Sequence, residues 1–164
     1  MSRQQDANYL IARYLEYVAW WVREGAEAFE TWKAEERRAR AQARSDAMLA
    51  GADLKEAEAA THGFHVAFEP PGRIEEPEDI DAIIQGPDPD AWDLLQKLVS
   101  SAPNDPAILG FIGAGFFEDW IQKPHGEQTI TDLLERIRHD SKWRVVAETC
   151  WHNPPRIAEL LRSL

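Results

Sequence analysis

The sequence predicts an all-α fold: a multi-helix bundle or a helical-repeat-like stack, with a long N-terminal helical hairpin and an extended acidic connector. Apolar residues recur every three or four positions through most of the 164 residues, which is the spacing of one buried helix face. Prolines, glycines and short polar residues separate these runs, as they do at helix ends. Alternation is confined to Phe64, Val66 and Phe68. This pattern allows a short strand or an extended strip laid over the helices, and we expect no sheet.

Three segments are predicted, and we expect them to form one structural unit overall. Residues 1–63 form an N-terminal helical arm, residues 64–89 an acidic, proline-rich connector, and residues 90–164 a compact helical domain. Within the arm, long helices are expected at about residues 4–22 and 24–50, followed by a shorter one before the connector.

Trp20 and Trp21 are adjacent near the end of the first predicted helix. Neighbouring helical residues point about 100° apart, so both rings cannot enter one core. We therefore expect one of them at an interface or in a second groove, and we expect Gly25 to kink or end the helix. The remaining tryptophans are expected to point inward: Trp32, Trp92, Trp120, Trp143 and Trp151.

The connector is broken by prolines and glycines, and only one short helix is expected there, at about residues 79–84. Polar residues, glycine and proline then mark the starts of the helices in the C-terminal domain. The predicted helix starts are Asp90, Asn104 or Asp105, Gly115, Thr129 or Thr131, Ser141 and Pro154.

The densest stretch of the chain lies at residues 109–120, where three glycines stand among large apolar side chains. We interpret Gly113 and Gly115 as a tight helix-to-helix turn between closely packed helices. Glu118 then falls at the third position of the new helix, where its carboxylate can cap free amides of that helix start.

The formal net charge of −11 is concentrated in the middle of the chain. Residues 64–135 carry 15 acidic and 3 basic side chains, whereas residues 1–63 are net −2 and residues 136–164 are net +3. Such a field attracts basic partners and repels nucleic acid. The four arginines of the second helix are interpreted as a solvated helix face: Arg37, Arg38, Arg40 and Arg44.

The number of cysteines and the first residues of the sequence indicate the cellular compartment in which we expect the protein. Cys150 is the single cysteine, so an intramolecular disulfide framework is excluded and a reducing compartment is favoured. The first residues lack a signal-peptide pattern, and the apolar run at residues 17–22 is too short to span a membrane. We therefore expect a cytoplasmic protein that does not bind membranes.

A resemblance covers residues 92–151. Its residues are Trp92, Leu95, Ile112-Gly-Ala-Gly-Phe-Phe-Glu-Asp119, His125-Gly126, Trp143-Arg144 and Trp151. This stretch is similar to a family of small bacterial helical domains of unknown function, whose hallmark is an Ala-Gly-Pro-Leu-Glu segment followed by His-Gly. Ala114, Gly115 and Glu118 match, whereas Phe116-Phe117 replace Pro-Leu, which leaves the helix start less rigid. The resemblance implies a bacterial origin and an all-α fold. By analogy alone, we expect such domains among toxin-neutralising or interaction proteins.

No catalytic, cofactor or metal motif is found. The glycine-rich stretch lacks the preceding strand of a dinucleotide fingerprint. Glu118 and Asp119 point to different sides of a helix. A zinc site would require the pair His62/His65 and the pair Cys150/His152 to come together at one point, and Gly63 interrupts the first pair. We therefore expect no cofactor and no metal.

The sequence therefore predicts a non-catalytic protein-binding protein, most consistent with an acidic immunity or antitoxin-type inhibitor of a basic toxin or effector. The predicted partner-binding residues are Glu69, Glu75, Glu76, Glu78, Asp79, Asp81, Asp88, Asp90, Asp93, Trp20 and Trp21. A homodimeric helical adaptor is the alternative hypothesis, and an enzyme using Glu118 and Asp119 is the third.

Overall fold

The computed structural model describes residues 3–62, 64–77, 79–86 and 88–164. These residues contain α-helices, π-helical segments and turns and no strand, so the predicted all-α fold is confirmed. The elements are α1 (Arg3–Trp20), π1 (Trp21–Gly25), α2 (Ala26–Leu49), α3 (Leu54–Thr61), α4 (Asp79–Ile84), α5 (Asp88–Ser101), α6 (Pro106–Ile112), π2 (Gly113–Phe117), α7 (Glu118–Ile121), α8 (Glu127–His139), α9 (Ser141–Thr149) and α10 (Pro155–Ser163).

The chain divides into two compact units, which differ from the three predicted segments. The bundle unit comprises residues 1–22 and 74–164, and the hairpin unit comprises residues 23–73. The predicted boundaries are wrong because α1 packs on α5 and α6, and therefore belongs with the C-terminal helices. The first part of the predicted connector instead packs along α2, and α4 packs on α5.

The core of the bundle unit is centred on α9, which contacts α5, α6, π2, α8 and α10. Trp92, Trp120 and Trp143 are buried together, with ring centroids of Trp92 and Trp120 at 4.9 Å and of Trp92 and Trp143 at 5.5 Å. Each such aromatic side chain removes about 150–250 Å² of surface from water on burial. The Arg136 guanidinium lies 5.7 Å from the rings of Trp92 and Trp143 and donates to Gln96 Oε1 at 2.5 Å, so its charge is held at the edge of this cluster.

The predicted turn at Gly113 and Gly115 is wrong, because the backbone stays helical from α6 through π2 into α7. Gly113 has right-handed helical angles, φ −65° and ψ −46°. A Cβ atom there would lie 2.1 Å from Thr149 Oγ1 and 2.3 Å from the Val146 carbonyl oxygen of α9. Glycine is therefore required at 113 by the close approach of α9 rather than by a turn. A Cβ at Gly115 would meet only the Tyr14 hydroxyl, at 3.6 Å.

Tyr14 of α1 supports the π-helical segment from the other side. The main chain of Phe116 hydrogen-bonds to the Tyr14 hydroxyl, and the Tyr14 ring lies edge-on to the Phe116 ring at 6.2 Å. Burial, followed by the negative charge of Glu76, raises the pKa of Tyr14 far above its ordinary value. The hydroxyl therefore stays protonated, as a buried polar group paired with main chain.

Helix starts were predicted well where proline or a cap marks them. The Asp105 side chain accepts from the Ala107 amide with Pro106 in the first turn, as predicted. The predicted start of α5 at Asp90 is two residues late, since the helix begins at Asp88. The predicted start of α8 is also late, because Thr131 lies inside the helix and donates to the Glu127 carbonyl at 2.9 Å.

Of the tryptophans near helix ends, Trp151 departs from its prediction. Trp20 is 4% exposed and its indole Nε1 has no hydrogen-bond partner among the described residues. Trp21 is half-buried and packs on Tyr17 and Phe111, with centroids 6.3 and 6.5 Å away. Trp151 was predicted to point inward, but α9 ends at Thr149 and the Trp151 side chain is 82% exposed.

The hairpin unit is built from α2, α3 and an extended strip, residues 64–69. The α3 helix begins with a capping box between Asp53 and Glu56. An ion pair between Arg44 of α2 and Glu58 of α3, at 3.4 Å, joins the two helices. In the strip, half-buried and exposed residues alternate. Of the two forms that the sequence pattern allowed, this is the extended strip laid over the helices rather than a strand.

Candidate functional site

The hairpin unit contains an open groove of about 550 Å³ between α2 with its preceding π1 turn and the strip. Its lining combines four carboxylates, two aromatic rings and one guanidinium. These residues are Glu24, Glu27, Glu35, Glu69, Trp32, Phe68 and Arg23. A concave surface with aromatic walls and a few charged groups is the usual form of a binding site.

The helical wall follows from spacing. Glu24, Glu27, Thr31 and Glu35 recur at three- or four-residue steps, so their side chains lie on one helix face. This spacing gathers their side chains along one wall of the groove.

The strip is held against α2 by side chains that donate to its carbonyl groups. Trp32 Nε1 donates to the Val66 carbonyl at 2.8 Å, and an Arg40 guanidinium nitrogen donates to the Phe64 carbonyl at 2.9 Å. His65 also lies 3.2 Å from a Glu36 carboxylate oxygen. These contacts fix the strip as the second wall of the groove.

An aromatic cluster underlies this junction. The rings of Phe29 and Trp32 are stacked with centroids 5.3 Å apart, and Phe68 contacts both rings at 5.5 Å. Two of the protein's own cations lie over these rings. Lys33 Nζ is 4.6 Å from the Phe29 centroid, and the Arg73 guanidinium carbon is 5.5 Å from that of Phe68. The cluster thus has the geometry that receives cationic side chains.

The groove carboxylates differ from the carboxylates that form the ion pairs described for the hairpin unit. Among the described residues, these ion pairs use the carboxylates of Glu30, Glu36 and Glu58. The pKa of Glu30, for example, is lowered by its hydrogen bond to Lys33. Four carboxylates and the Arg23 guanidinium line the groove, and the Arg73 guanidinium lies over Phe68.

The structure distributes the predicted acidic site over both units. Glu69 is exposed and lines the groove. Five others are exposed in the bundle unit: Glu75, Glu76, Asp79, Asp90 and Asp93. Glu78 and the side chains of Asp81 and Asp88 lie outside the described residues. Of the predicted tryptophans, Trp20 is buried and Trp21 packs within the bundle unit, so the prediction that Trp20 meets a partner is corrected.

No site was predicted from the sequence at Glu24, Glu27, Glu35, Trp32 or Phe68. The signal was present as a repeated acidic spacing at the start of α2 beside two aromatic residues. It was hidden because the arginines later in the same helix bring the regional charge close to neutral.

Glu118 has a different role from the predicted cap. Its carboxylate accepts the Trp151 amide at 3.1 Å and lies 2.6 Å from His152 Nδ1, so it anchors the loop between α9 and α10. The bond to His152, and then the bond to the Trp151 amide, lower the pKa of Glu118. Burial raises the pKa of the Cys150 thiol, which disfavours the thiolate that a nucleophile or metal ligand requires. In the described part of the chain, no three His, Cys, Asp or Glu side chains are grouped to hold a metal ion.

Comparisons with protein-family models, with curated proteins and with solved structures found no match to this chain. The resemblance of residues 92–151 to the Ala-Gly-Pro-Leu-Glu family therefore stays a prediction. Across the described residues, no helix has both the length and the apolar character that crossing a bilayer requires.

Proposed function

We propose that the protein is a non-catalytic protein-binding protein whose partner presents a basic segment to the groove of the hairpin unit. In its sharper form, the proposal is an acidic inhibitor of the immunity or antitoxin type that neutralises a basic toxin or effector. The observation that carries it is the arrangement of Glu24, Glu27, Glu35 and Glu69 beside the rings of Trp32 and Phe68.

The groove supplies both halves of a cation-binding site. An arginine or lysine of the partner would place its charge among the carboxylates and its side chain over an aromatic face. Lys33 over Phe29 and Arg73 over Phe68 are internal examples of such contacts. A cation–π contact contributes about 0.5–1 kcal/mol at an exposed site and about 2 kcal/mol when desolvated. Several such contacts, together with the carboxylates, give a basis for specific binding.

Net charge supports fast association. A chain of net charge −11 attracts a basic partner over several ångströms, and this attraction is screened with a length of about 8 Å at physiological salt. We expect the association rate to fall as salt rises. A rate that is unchanged between low and high salt contradicts the electrostatic part of the proposal.

The test compares two neutralised surfaces of the full chain. The variant Glu27→Gln/Glu35→Gln removes two groove charges, and Glu75→Gln/Asp93→Asn removes two charges from the bundle unit. Proteins captured by the wild-type chain from a lysate of its source organism are identified, and affinity is measured with the purified partner. We expect a stoichiometric partner with a basic surface that is lost with the groove variant and retained with the bundle variant. The reverse result would assign the partner to the bundle unit and refute the groove.

A second function, a homodimeric helical adaptor, is favoured by the tip of the α2–α3 hairpin. Met48, Leu49 and Leu54 are 46%, 84% and 50% exposed there. Exposed apolar residues that cluster are typical of protein contacts. Sedimentation velocity of the wild type and of Leu49→Glu tests it, since a dimer that the substitution dissociates supports the adaptor. A wild type that stays monomeric at micromolar concentration excludes it.

A further inference from the structure

We infer that two copies of the protein pair through α2, with the two helices antiparallel about a two-fold axis close to residue 36. The inference rests on the second proposed function, the homodimer, and deepens it by naming the surface and the symmetry of the dimer. It also bears on the first proposed function, because the second copy would cover carboxylates of the groove.

One flank of α2 is covered within its own chain. Trp32 and Arg40 donate to carbonyl groups of the strip, and Arg44 forms an ion pair with Glu58 of α3. None of the 24 residues of α2 is fully buried, however. Since a helix in a protein gains most of its stability by packing one face against another element, α2 has a surface left for a further helix.

The other flank of α2 forms a regular seam. Its residues follow one another in alternating steps of four and three: Glu27, Thr31, Ala34, Arg38, Ala41, Ser45 and Met48. All of them are exposed except Ala34, which is half-buried. An average step of roughly 3.5 residues is the spacing with which two helices pack along a common line. The seam runs from the groove at one end to an open hollow of about 540 Å³ at the other.

Charge is separated along this flank. Glu27 and Glu35 lie towards the N-terminal end of α2, and Arg38 and Arg44 lie towards its C-terminal end. Arg38 is exposed and donates to the main-chain carbonyl of Ala34 at 3.3 Å. A parallel pair of such helices would place like charges together, whereas an antiparallel pair places the acidic end of each copy on the basic end of the other. The flank is therefore self-complementary, as an interface between two identical copies requires.

The position of the axis follows from the seam. In an antiparallel pair, residues equally far before and after the axis lie level with each other. An axis beside residue 36 sets Thr31 level with Ala41 of the second copy and Glu27 level with Ser45, so that seam residues meet seam residues. The same axis brings Glu35 of each copy next to Arg38 of the other.

The second copy would exclude a basic partner from the groove. Glu27 and Glu35 line the groove, and in the dimer they face the basic end of the second copy. A basic segment would therefore bind only when the dimer dissociates. The dimer thus regulates the groove of the first proposed function.

The test is a charge exchange in the full chain, followed by sedimentation velocity at micromolar concentration and low salt. Glu35→Arg sets arginine against arginine at both symmetry-related contacts, and Arg38→Glu sets carboxylate against carboxylate. We expect the dissociation constant of the dimer to rise about tenfold or more in each variant, since two ion pairs are replaced by repulsion. An equimolar mixture of the two variants should form a heterodimer, because both contacts then join opposite charges.

Two substitutions in the bundle unit are the matched controls. Glu75→Arg and Arg162→Glu make the same changes in net charge at exposed positions, and we expect both to dimerise like the wild type. The double variant Glu35→Arg/Arg38→Glu restores both contacts and should dimerise as well. Circular dichroism of each variant shows whether its helices are retained, so a lost dimer is distinguished from a lost fold.

A peptide tests the link to the groove. The probe is an acetylated, amidated peptide of seven arginines, added to the wild-type dimer at low salt. We expect it to convert the dimer into monomers that carry peptide. Peptide bound to an intact dimer overturns the shared surface, and a peptide that does not bind overturns the link to the first proposed function while the dimer stands.

The dimer itself is decided by three results. A wild type that stays monomeric overturns the inference together with the second proposed function. A dimer that Leu49→Glu dissociates and neither charge variant weakens keeps the second proposed function and overturns pairing through α2. Charge variants that are monomeric alone and stay monomeric when mixed overturn the contact between Glu35 and Arg38.

Discussion

Replacing Gly113 by alanine is the sharpest test of how the bundle unit is packed. A Cβ atom at this position would lie 2.3 Å from the Val146 carbonyl oxygen, whereas ordinary contact begins at 3.4 Å. The α9 backbone must therefore retreat by roughly 1 Å, and it carries Trp143 and Val146 of the core with it. Overpacking of this kind destabilises the fold by about 1–3 kcal/mol. Because the obstacle is a main-chain carbonyl that cannot rotate away, we expect a destabilisation at the upper end of this range.

The expected result is a loss of about 2 kcal/mol or more in the free energy of unfolding. This value is the difference between an overpacking cost of about 3 kcal/mol and the gain of about 1 kcal/mol that alanine has over glycine in a helix. Gly115→Ala is the matched control, because it lies in the same π-helical segment and its Cβ would meet only an ordinary contact at 3.6 Å. We expect this control to be neutral or more stable than the wild type, by up to about 1 kcal/mol.

The assay is urea unfolding followed by tryptophan fluorescence, since Trp92, Trp120 and Trp143 report on the bundle core. A companion variant, Gly113→Ala with Thr149→Ala, removes the second obstacle, the Thr149 hydroxyl at 2.1 Å. We expect it to remain destabilised because the Val146 carbonyl is still in place. Stability of Gly113→Ala within about 0.5 kcal/mol of the wild type would refute the reasoning, and full rescue by Thr149→Ala would attribute the clash to the side chain alone.

Three further predictions concern polar groups of the bundle unit. Glu118→Gln should lower stability near neutral pH. Because His152 depresses the folded-state pKa of Glu118, the stability difference from the wild type should shrink as pH falls below the ordinary value of 4.5. Thermal melts from pH 7 to pH 3 measure this difference, and a difference that stays constant would contradict the prediction. Tyr14→Phe should cost about 1–2 kcal/mol in urea unfolding because the buried main chain of Phe116 loses its hydrogen-bond partner, and a neutral effect would mean that this bond is replaced. Cys150 should react with a thiol reagent only slowly in the native protein and rapidly in denaturant, because burial raises its pKa; fast native labelling would show that the thiol is accessible.

The sequence predicted the helices because their signals are local. Apolar periodicity, the Asp105 cap with Pro106, and the short run at residues 79–84 each lie within one element, and each prediction matches the structure closely. Exposure of Trp151 was missed because α9 stops two residues before it, and the helical period was carried past that end.

Two other predictions failed because they depend on contacts between distant residues. Gly113 has no local need for glycine, since its backbone is helical, and its reason is the α9 backbone that follows much later in the chain. The groove likewise depends on the strip returning along α2. The regional excess of negative charge lies at residues 64–135, whereas most of the groove carboxylates are gathered on one face of a nearly neutral helix.

The division into two units has a consequence for the order in which the protein is made. The hairpin unit occupies one continuous stretch, residues 23–73, so its contacts are complete while most of the chain is still untranslated. The bundle unit begins with α1 but needs α5, α6 and finally α9, which lie beyond the hairpin unit. Contacts between distant segments form slowly and leave apolar surface exposed meanwhile. The apolar face of α1 therefore stays exposed during synthesis, and the nascent chain is most vulnerable to aggregation until α9 emerges from the ribosome.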